Sequence, residues 1–167
     1  MLLYLSTPQQ IAQKPNQYRL YQALPTDQIQ FSDVITHGDG RSLIVENFFK
    51  GKKSVLADFA GTFVSVADFY HLDYRLLPSI AMQESNGGKV LPDNSYNPFG
   101  YGIYGSNKIH FQGWDEAIKT VGKALREDYL NQGLHTPYQI MTKYTPPSVE
   151  KGGSWAIGVS QFMDELR

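Results

Sequence analysis

The feature that most constrains the fold is an apolar period of about 3.6 residues that recurs along residues 39–167 and is not sustained in residues 1–38. The period is clearest over 114–130. One face of a helix there would carry Trp114, Ala117, Ile118, Val121, Ala124 and Leu125. Such a stripe is typical of an amphipathic helix that packs on a core. The pattern therefore predicts a domain built mainly from α-helices.

Capping residues and glycine stops divide the same region into further helices. We predict these helices at 41–49, 55–70, 74–85, 137–143 and 155–166. The expected N-terminal caps are Asp39, Ser54, Asp73 and Ser154. A turn-rich stretch at 89–113 predicts a small irregular or hairpin lobe. The expected fold class is therefore mainly α (α+β), with this lobe set among the helices.

Residues 1–38 are rich in Gln, Pro and Thr and predict an N-terminal arm with extended stretches. Residues 39–167 would then form the helical domain, and a chain of 167 residues is long enough to bury one core. The apolar opening at 1–5 is shorter than the apolar stretch of a signal peptide or a membrane-spanning helix. We expect neither in this chain.

Composition excludes several classes of protein. The chain has 15 Lys and Arg against 16 Asp and Glu, which is not the basic balance of a nucleic-acid-binding protein. It has no Cys, so disulfide frameworks, thiolate zinc sites and cysteine nucleophiles are excluded. The four His are far apart, and we expect no metal and no other cofactor.

Glu84 is the residue that most suggests chemistry. It follows Leu77, Ile80 and Ala81 at helical spacing, so we expect it to continue an apolar stripe into the core. Burial raises the pKa of a carboxyl group, and the negative end of the helix dipole acts in the same direction. A carboxylic acid that stays protonated near neutral pH suits general acid catalysis, as in glycoside hydrolysis. The other interpretation is a carboxylate at a helix end that turns out to solvent.

Three motifs surround this residue, and by them residues 54–167 resemble a known family. The motifs are AMQESNGG at 81–88, SYNPFG at 95–100 and KYTPP at 143–147. They are similar to the A-x-x-E-S/T-x-x-G, N-x-F/W-G and tyrosine segments of the lysozyme-like peptidoglycan glycosidases. In particular, the motifs resemble those of the endo-β-N-acetylglucosaminidase type (glycoside hydrolase family 73), with kinship to the lytic transglycosylases.

The resemblance implies a fold and a set of roles. The fold would be a lysozyme-like helical domain, Glu84 would donate a proton to the leaving sugar, and the Tyr144 hydroxyl would lie near the acetamido group or the anomeric carbon. Substrate-binding roles are implied for Ser85, Tyr96, Asn97, Phe99, Gly100, Tyr101 and Tyr104. The substrate would be peptidoglycan or another N-acetylglucosamine-containing glycan, met outside the cell or in the cell envelope.

One departure from the family pattern concerns a second carboxylate, which relatives often carry in the lobe. Residues 101–111 contain no Asp or Glu, and the nearest candidates are Asp93, Asp115 and Glu116. A mechanism with Glu84 alone, hydrolytic or transglycosylating, is therefore favoured.

Two alternatives remain: a non-catalytic glycan-binding module on the same scaffold, and an assembly protein that docks a partner through residues 1–38.

Overall fold

The computed structural model describes residues 40–91, 95–102 and 109–167. The predicted N-terminal arm lies outside the described residues, as do the boundary of that arm and the candidate site residue Tyr104. The segment that carries Asp93 also lies outside them.

Seven α-helices make up the architecture of the described residues. They are α1 (Gly40–Gly51), α2 (Ala60–Phe69), α3 (Leu76–Ser85), α4 (Trp114–Ala124), α5 (Pro137–Tyr144), α6 (Pro147–Glu150) and α7 (Ser154–Glu165). No strand occurs among these residues, so the predicted mainly-α class is confirmed. None of the helices found there has the length and apolar character needed to cross a lipid bilayer.

Three predicted helices differ from those observed. The predicted helix at 55–70 begins as a 3₁₀ turn (Val55–Phe59) before α2. The predicted helix at 114–130 is α-helical only to Ala124 and continues as a π turn (Leu125–Tyr129) and a 3₁₀ turn (Leu130–Gln132). The predicted start at 74 is also wrong, because α3 begins at Leu76. Helix α6, which opens on Pro147, was not predicted.

Of the four predicted caps, one is confirmed, two are wrong and one lies outside the described residues. The Ser54 hydroxyl accepts a hydrogen bond from Leu56 N, as a cap should. The cap of α3 is Arg75 rather than Asp73, whose carboxylate accepts from Arg75 N instead. Gly153 caps α7, and Ser154 is the first residue of that helix. Asp39 lies outside the described residues.

The core lies between the helices and beneath the lobe. Helix α3 packs chiefly against α7, and its residues Leu77, Ile80 and Ala81 are fully buried. A row of aromatic rings joins α1, α2 and the lobe, with centroid distances of 5.2 Å from Phe49 to Phe63 and 6.4 Å from Phe63 to Phe99. The buried Phe99 ring thus packs the described part of the lobe against the core, beside the end of α3.

Candidate active site

The end of α3 is held in place by its own glycine turn. Asn86, the C-terminal cap, has a φ of 52°, and Gly87 and Gly88 continue in the same left-handed region. The Ser54 hydroxyl donates to the Gly87 carbonyl oxygen at 2.6 Å. This turn leaves Glu84 in the last turn of the helix, where a long side chain can leave the core.

Glu84 does leave the core. Its apolar neighbours on the stripe are fully buried, whereas Glu84 itself is exposed, so the prediction that it lies within the core is wrong. The physical reason is its position: the stripe reaches the surface where α3 stops. Protein atoms still crowd the carboxyl group on its inner sides, while its outer side is open to solvent.

Two contacts orient the Glu84 carboxyl group. The indole Nε1–H of Trp155, in the first turn of α7, donates to Oε1 at 2.6 Å. The other oxygen, Oε2, lies 3.0 Å from the point where a Cβ on Gly100 would stand. Gly100 also has a φ of 59°, a conformation that disfavours any side chain. A glycine at this position therefore both permits the turn and leaves room for the carboxyl group.

The environment of Glu84 changes its acidity. Desolvation by the surrounding protein raises the pKa of this carboxyl group above the ordinary glutamate value. The hydrogen bond from Trp155 stabilises the ionised form and lowers the pKa in part, but desolvation is the larger effect. The direction matches the expectation from sequence, although the side chain is only partly enclosed.

Tyr144 joins the last turn of α5 to the same group of residues. Its hydroxyl donates to the Phe99 carbonyl oxygen at 2.6 Å, and its ring stacks on the Trp155 indole with centroids 5.1 Å apart. Phe99 precedes Gly100, which faces Glu84, and Trp155 bonds to Glu84. Four contacts thus join residues of α3, α7, α5 and the lobe in a closed ring: Glu84 to Trp155, Trp155 to Tyr144, Tyr144 to Phe99, and Gly100 back to Glu84.

Two other predicted site residues, Ser85 and Asn97, support this ring from within. The Ser85 hydroxyl donates to the Pro98 carbonyl oxygen at 2.8 Å and accepts from Gly88 N. Asn97 accepts from Tyr101 N and donates to the carbonyl oxygens of Tyr101 and Ile109. The side chains of Ser85, Asn97 and Phe99 are buried. Their burial suits a role in shaping the wall of the cleft, and the substrate-binding role predicted for them stays a prediction.

A pocket of about 210 Å³ opens beside Gly100. It is lined by Gly100, Tyr101, Gly102, Tyr129, Lys143, Tyr144 and Pro146. Three of these residues are tyrosines, and one of them, Tyr144, also touches Trp155. We call this space the tyrosine pocket. It contains the predicted residues Gly100, Tyr101 and Tyr144, which the fold brings together from two distant segments.

Tyr96 lies apart from that pocket. Its ring packs edge-on against Trp114 with centroids 5.2 Å apart, and the residue is 40% exposed. Its φ of 43° is unusual for a bulky side chain and marks local backbone strain. The exposed ring face would be able to stack on a sugar, but it is not among the residues that line the tyrosine pocket.

The described candidates for a second carboxylate are engaged elsewhere. Asp115 accepts a hydrogen bond from the Thr62 hydroxyl at 2.7 Å, and Glu116 accepts from Gln112 N at 2.7 Å. Both residues lie in the first turn of α4, where negative charge complements the helix dipole. Within the described residues, no group of three or more His, Asp or Glu side chains is placed to bind a metal ion.

Sequence reasoning missed the parts that Trp155, Tyr129 and Lys143 play at this site. The sequence predicts Trp155 only as the first residue of the last helix, and no local pattern links it to Glu84. Comparison with models of known protein families and with curated protein sequences finds no match to this chain. A function for this chain therefore has to be inferred from the geometry of these residues and from the motifs that carry them.

Proposed function

We propose that this protein is a glycosidase that cleaves a β-1,4 bond next to N-acetylglucosamine in peptidoglycan or a similar glycan, with Glu84 as the general acid. One observation carries the proposal. A single carboxyl group with a raised pKa stands at the edge of a tyrosine-lined pocket, held there by an indole N–H. A protonated carboxylic acid beside a sugar-sized aromatic pocket is suited to protonating a glycosidic oxygen.

The hydrogen bond from Trp155 supports a specific location for the acidic proton. An indole N–H is a donor only, so Oε1 accepts from it; because the carbonyl oxygen of a neutral acid is the better acceptor, the bond favours the acidic proton on Oε2. Oε2 is the oxygen that lies next to Gly100, a residue of the tyrosine pocket. The glycosidic oxygen would therefore approach from that side.

The proposed step is a transfer of that proton from Oε2 to the glycosidic oxygen as the bond from this oxygen to the anomeric carbon breaks. The leaving sugar departs with a new hydroxyl group, and Glu84 is left as a carboxylate. Positive charge develops at the anomeric carbon and ring oxygen. With Glu84 as the sole acid, the substrate's own acetamido oxygen would form the new bond to that carbon and give an oxazolinium ion. Water, or a hydroxyl group of the same sugar in transglycosylation, would then open this ion and give its proton back to the Glu84 carboxylate.

Tyr144 supports binding of the acetamido group. Its hydroxyl donates to the Phe99 carbonyl oxygen, which holds the phenol next to the residue that precedes Gly100, and a phenol oxygen is a group that suits an acetamido N–H. Tyr101, which is half-buried and lines the same pocket, would offer an apolar face to a sugar ring. Such a substrate places the protein outside the cell or in the cell envelope.

Digestion of purified cell-wall sacculi tests the proposal. We expect the wild-type protein to lower their turbidity and Glu84→Gln, which keeps the shape and the acceptor for Trp155, to abolish this activity. Mass spectrometry of the products separates the two reactions: a reducing-end sugar indicates hydrolysis, and an anhydro end indicates transglycosylation. Undiminished turnover by Glu84→Gln would contradict the role of Glu84.

The second candidate function is a glycan-binding module without catalysis. The specific observation in its favour is that Asp115 and Glu116 accept hydrogen bonds from Thr62 and Gln112 at the start of α4 and do not line the tyrosine pocket. This candidate predicts that N-acetylglucosamine oligomers bind to the wild-type protein and are recovered intact. Any accumulation of shorter products rules it out.

A further inference from the structure

Helix α7 carries a glycine one turn after Trp155. Gly158 is three residues further along α7 and so lies on the same side of the helix as Trp155. Glycine inside a helix is destabilising relative to alanine. Gly158 is not one of the glycines with a positive φ, so its backbone conformation would accept any residue. What packs against it therefore decides whether a side chain fits.

The side chain of Gln83 lies directly on Gly158. A Cβ at position 158 would stand 1.9 Å from Gln83 Oε1 and 2.8 Å from Gln83 Cδ, far inside contact distance. Gln83 is the residue before Glu84 in the last turn of α3. The contact is thus one residue from Glu84 on α3 and one turn from Trp155 on α7, and it joins the two helices that the hydrogen bond from Trp155 to Glu84 also joins.

This contact leaves little freedom in the spacing of α3 and α7. The Gln83 amide occupies the space that a side chain on Gly158 would need. A methyl group there would push α7 away from α3, or it would push the amide into the pocket of about 230 Å³ that Gln83 and Trp155 both line. The first movement lengthens the 2.6 Å bond from the indole to Glu84, and the second places the amide next to the indole.

We propose that Gly158 is a positioning residue of the site: its bare backbone leaves room for the Gln83 amide, and the contact between them holds the Trp155 indole at bonding distance from Glu84. Gly158 touches no reacting group and acts through Gln83 and Trp155. The inference rests on the proposed function for its effect on turnover. Its effect on the bond between Trp155 and Glu84 does not depend on any activity.

The indole N–H signals in nuclear magnetic resonance spectra test the inference. The chain has two Trp residues, and Trp114→Phe assigns the signal of Trp155. In the wild type this signal should follow the titration of Glu84, because its acceptor changes from a carboxylate to a neutral acid. The other groups that face Glu84, the indole and the Gly100 backbone, do not titrate in this range.

Gly158→Ala should move the Trp155 signal towards its position in Glu84→Ala, which has no acceptor, and should flatten its response to pH. We also expect kcat to fall by roughly tenfold with little change in KM. That loss is within the about hundredfold that a displacement of about 1 Å can cause.

Two further variants separate positioning from a change in helix stability. Gly61→Ala also replaces a glycine inside a helix, α2, but nothing packs within 4 Å of its new Cβ. It should leave the Trp155 signal and kcat as in the wild type. The double variant of Gln83→Ala and Gly158→Ala removes the amide that the new methyl group would meet. Its signal, pH response and kcat should return towards the wild-type values.

The outcomes separate this inference from the proposed function. An unchanged Trp155 signal in Gly158→Ala, or a double variant no closer to the wild type, would overturn the inference and leave Glu84 as the proposed acid. A displaced signal that the double variant restores, in a protein without turnover, would support the inference and overturn the catalytic role. Should Gly158→Ala not fold, the double variant decides: a wild-type signal supports the inference, and a displaced signal overturns it.

Discussion

The indole N–H of Trp155 donates to Oε1 of Glu84 at 2.6 Å, although the two residues are 71 positions apart. Trp155 belongs to the first turn of α7 and Glu84 to the last turn of α3. The bond favours the ionised carboxylate and so opposes the desolvation that raises the Glu84 pKa. The packing of α3 on α7 therefore governs both the direction of the carboxyl group and its acidity.

Replacing Trp155 with Phe should move the pH profile of the proposed glycosidase activity. The change removes the N–H that lowers the Glu84 pKa, so the pKa rises further and the acid stays protonated to higher pH. We expect the alkaline limb of the rate profile to shift upward. We also expect kcat to fall by roughly tenfold to a hundredfold, because the carboxyl group loses its orientation. Turbidity assays across pH measure both effects.

Trp114→Phe is the matched control for this change. Trp114 is the chain's other tryptophan, and its ring packs on Tyr96 rather than on Glu84. Its pH profile should keep the wild-type alkaline limb. An unshifted or lowered limb in Trp155→Phe would show that the indole does not control the acidity of Glu84.

Glu84→Gln should be more stable than the wild type at neutral pH. The folded-state pKa of Glu84 is raised, so folding favours its protonated form. The stability this group contributes is complete below its unfolded-state pKa and is lost as pH rises through the folded-state pKa. The Gln variant has no such loss. Thermal unfolding should therefore give equal Tm values in acid and a Tm difference that appears as pH rises.

A constant Tm difference across that pH range would argue against a raised pKa in the folded state. Because the Glu84 side chain is partly open to solvent, the difference should be small.

Tyr144→Phe should loosen the junction between α5 and the lobe. The variant keeps the ring that stacks on Trp155 but leaves the Phe99 carbonyl without its phenol donor, at a cost of about 1 kcal/mol in the free energy of unfolding. Turnover should also fall, because Phe99 positions Gly100 beside Glu84. Urea denaturation and sacculus digestion measure the two effects.

Tyr138→Phe provides the comparison on the same helix. The Tyr138 residue is 53% exposed, so its variant should change neither stability nor turnover. Equal behaviour of the two variants would remove Tyr144 from the site.

We expect Gly100→Ala to lose turnover at only a small cost in the free energy of unfolding. Ala at a φ of 59° costs about 1 kcal/mol of backbone strain, and its Cβ would stand 3.0 Å from Glu84 Oε2. Gly133→Ala meets similar strain at a φ of 83° but has no atom within 4 Å of the new Cβ. We expect comparable losses of stability in the two variants and loss of turnover in Gly100→Ala alone. Equal turnover in both variants would contradict the close approach of Gly100 to the acid.

Local sequence patterns predicted most of the helices and the position of Glu84 in the last turn of α3. The stripe through Ile118 and Val121 is buried as expected, and Ser54 caps its turn. The same patterns failed where the backbone departs from a regular α-helix, as in the π turn after Ala124. A periodicity of 3.6 residues does not distinguish such a turn from the helix that it continues.

The amino-acid sequence by itself determined the helical class, the end of α3 at Asn86-Gly87-Gly88 and the presence of a carboxylate in the last turn, because periodicity, caps and left-handed glycine turns act within a few residues. Only the tertiary structure decided what surrounds that carboxylate. Trp155 and Gly100 reach Glu84 through the packing of α7 and the lobe on α3, and these contacts join residues far apart in the chain. The partial enclosure that raises the Glu84 pKa follows from this packing and has no local signature.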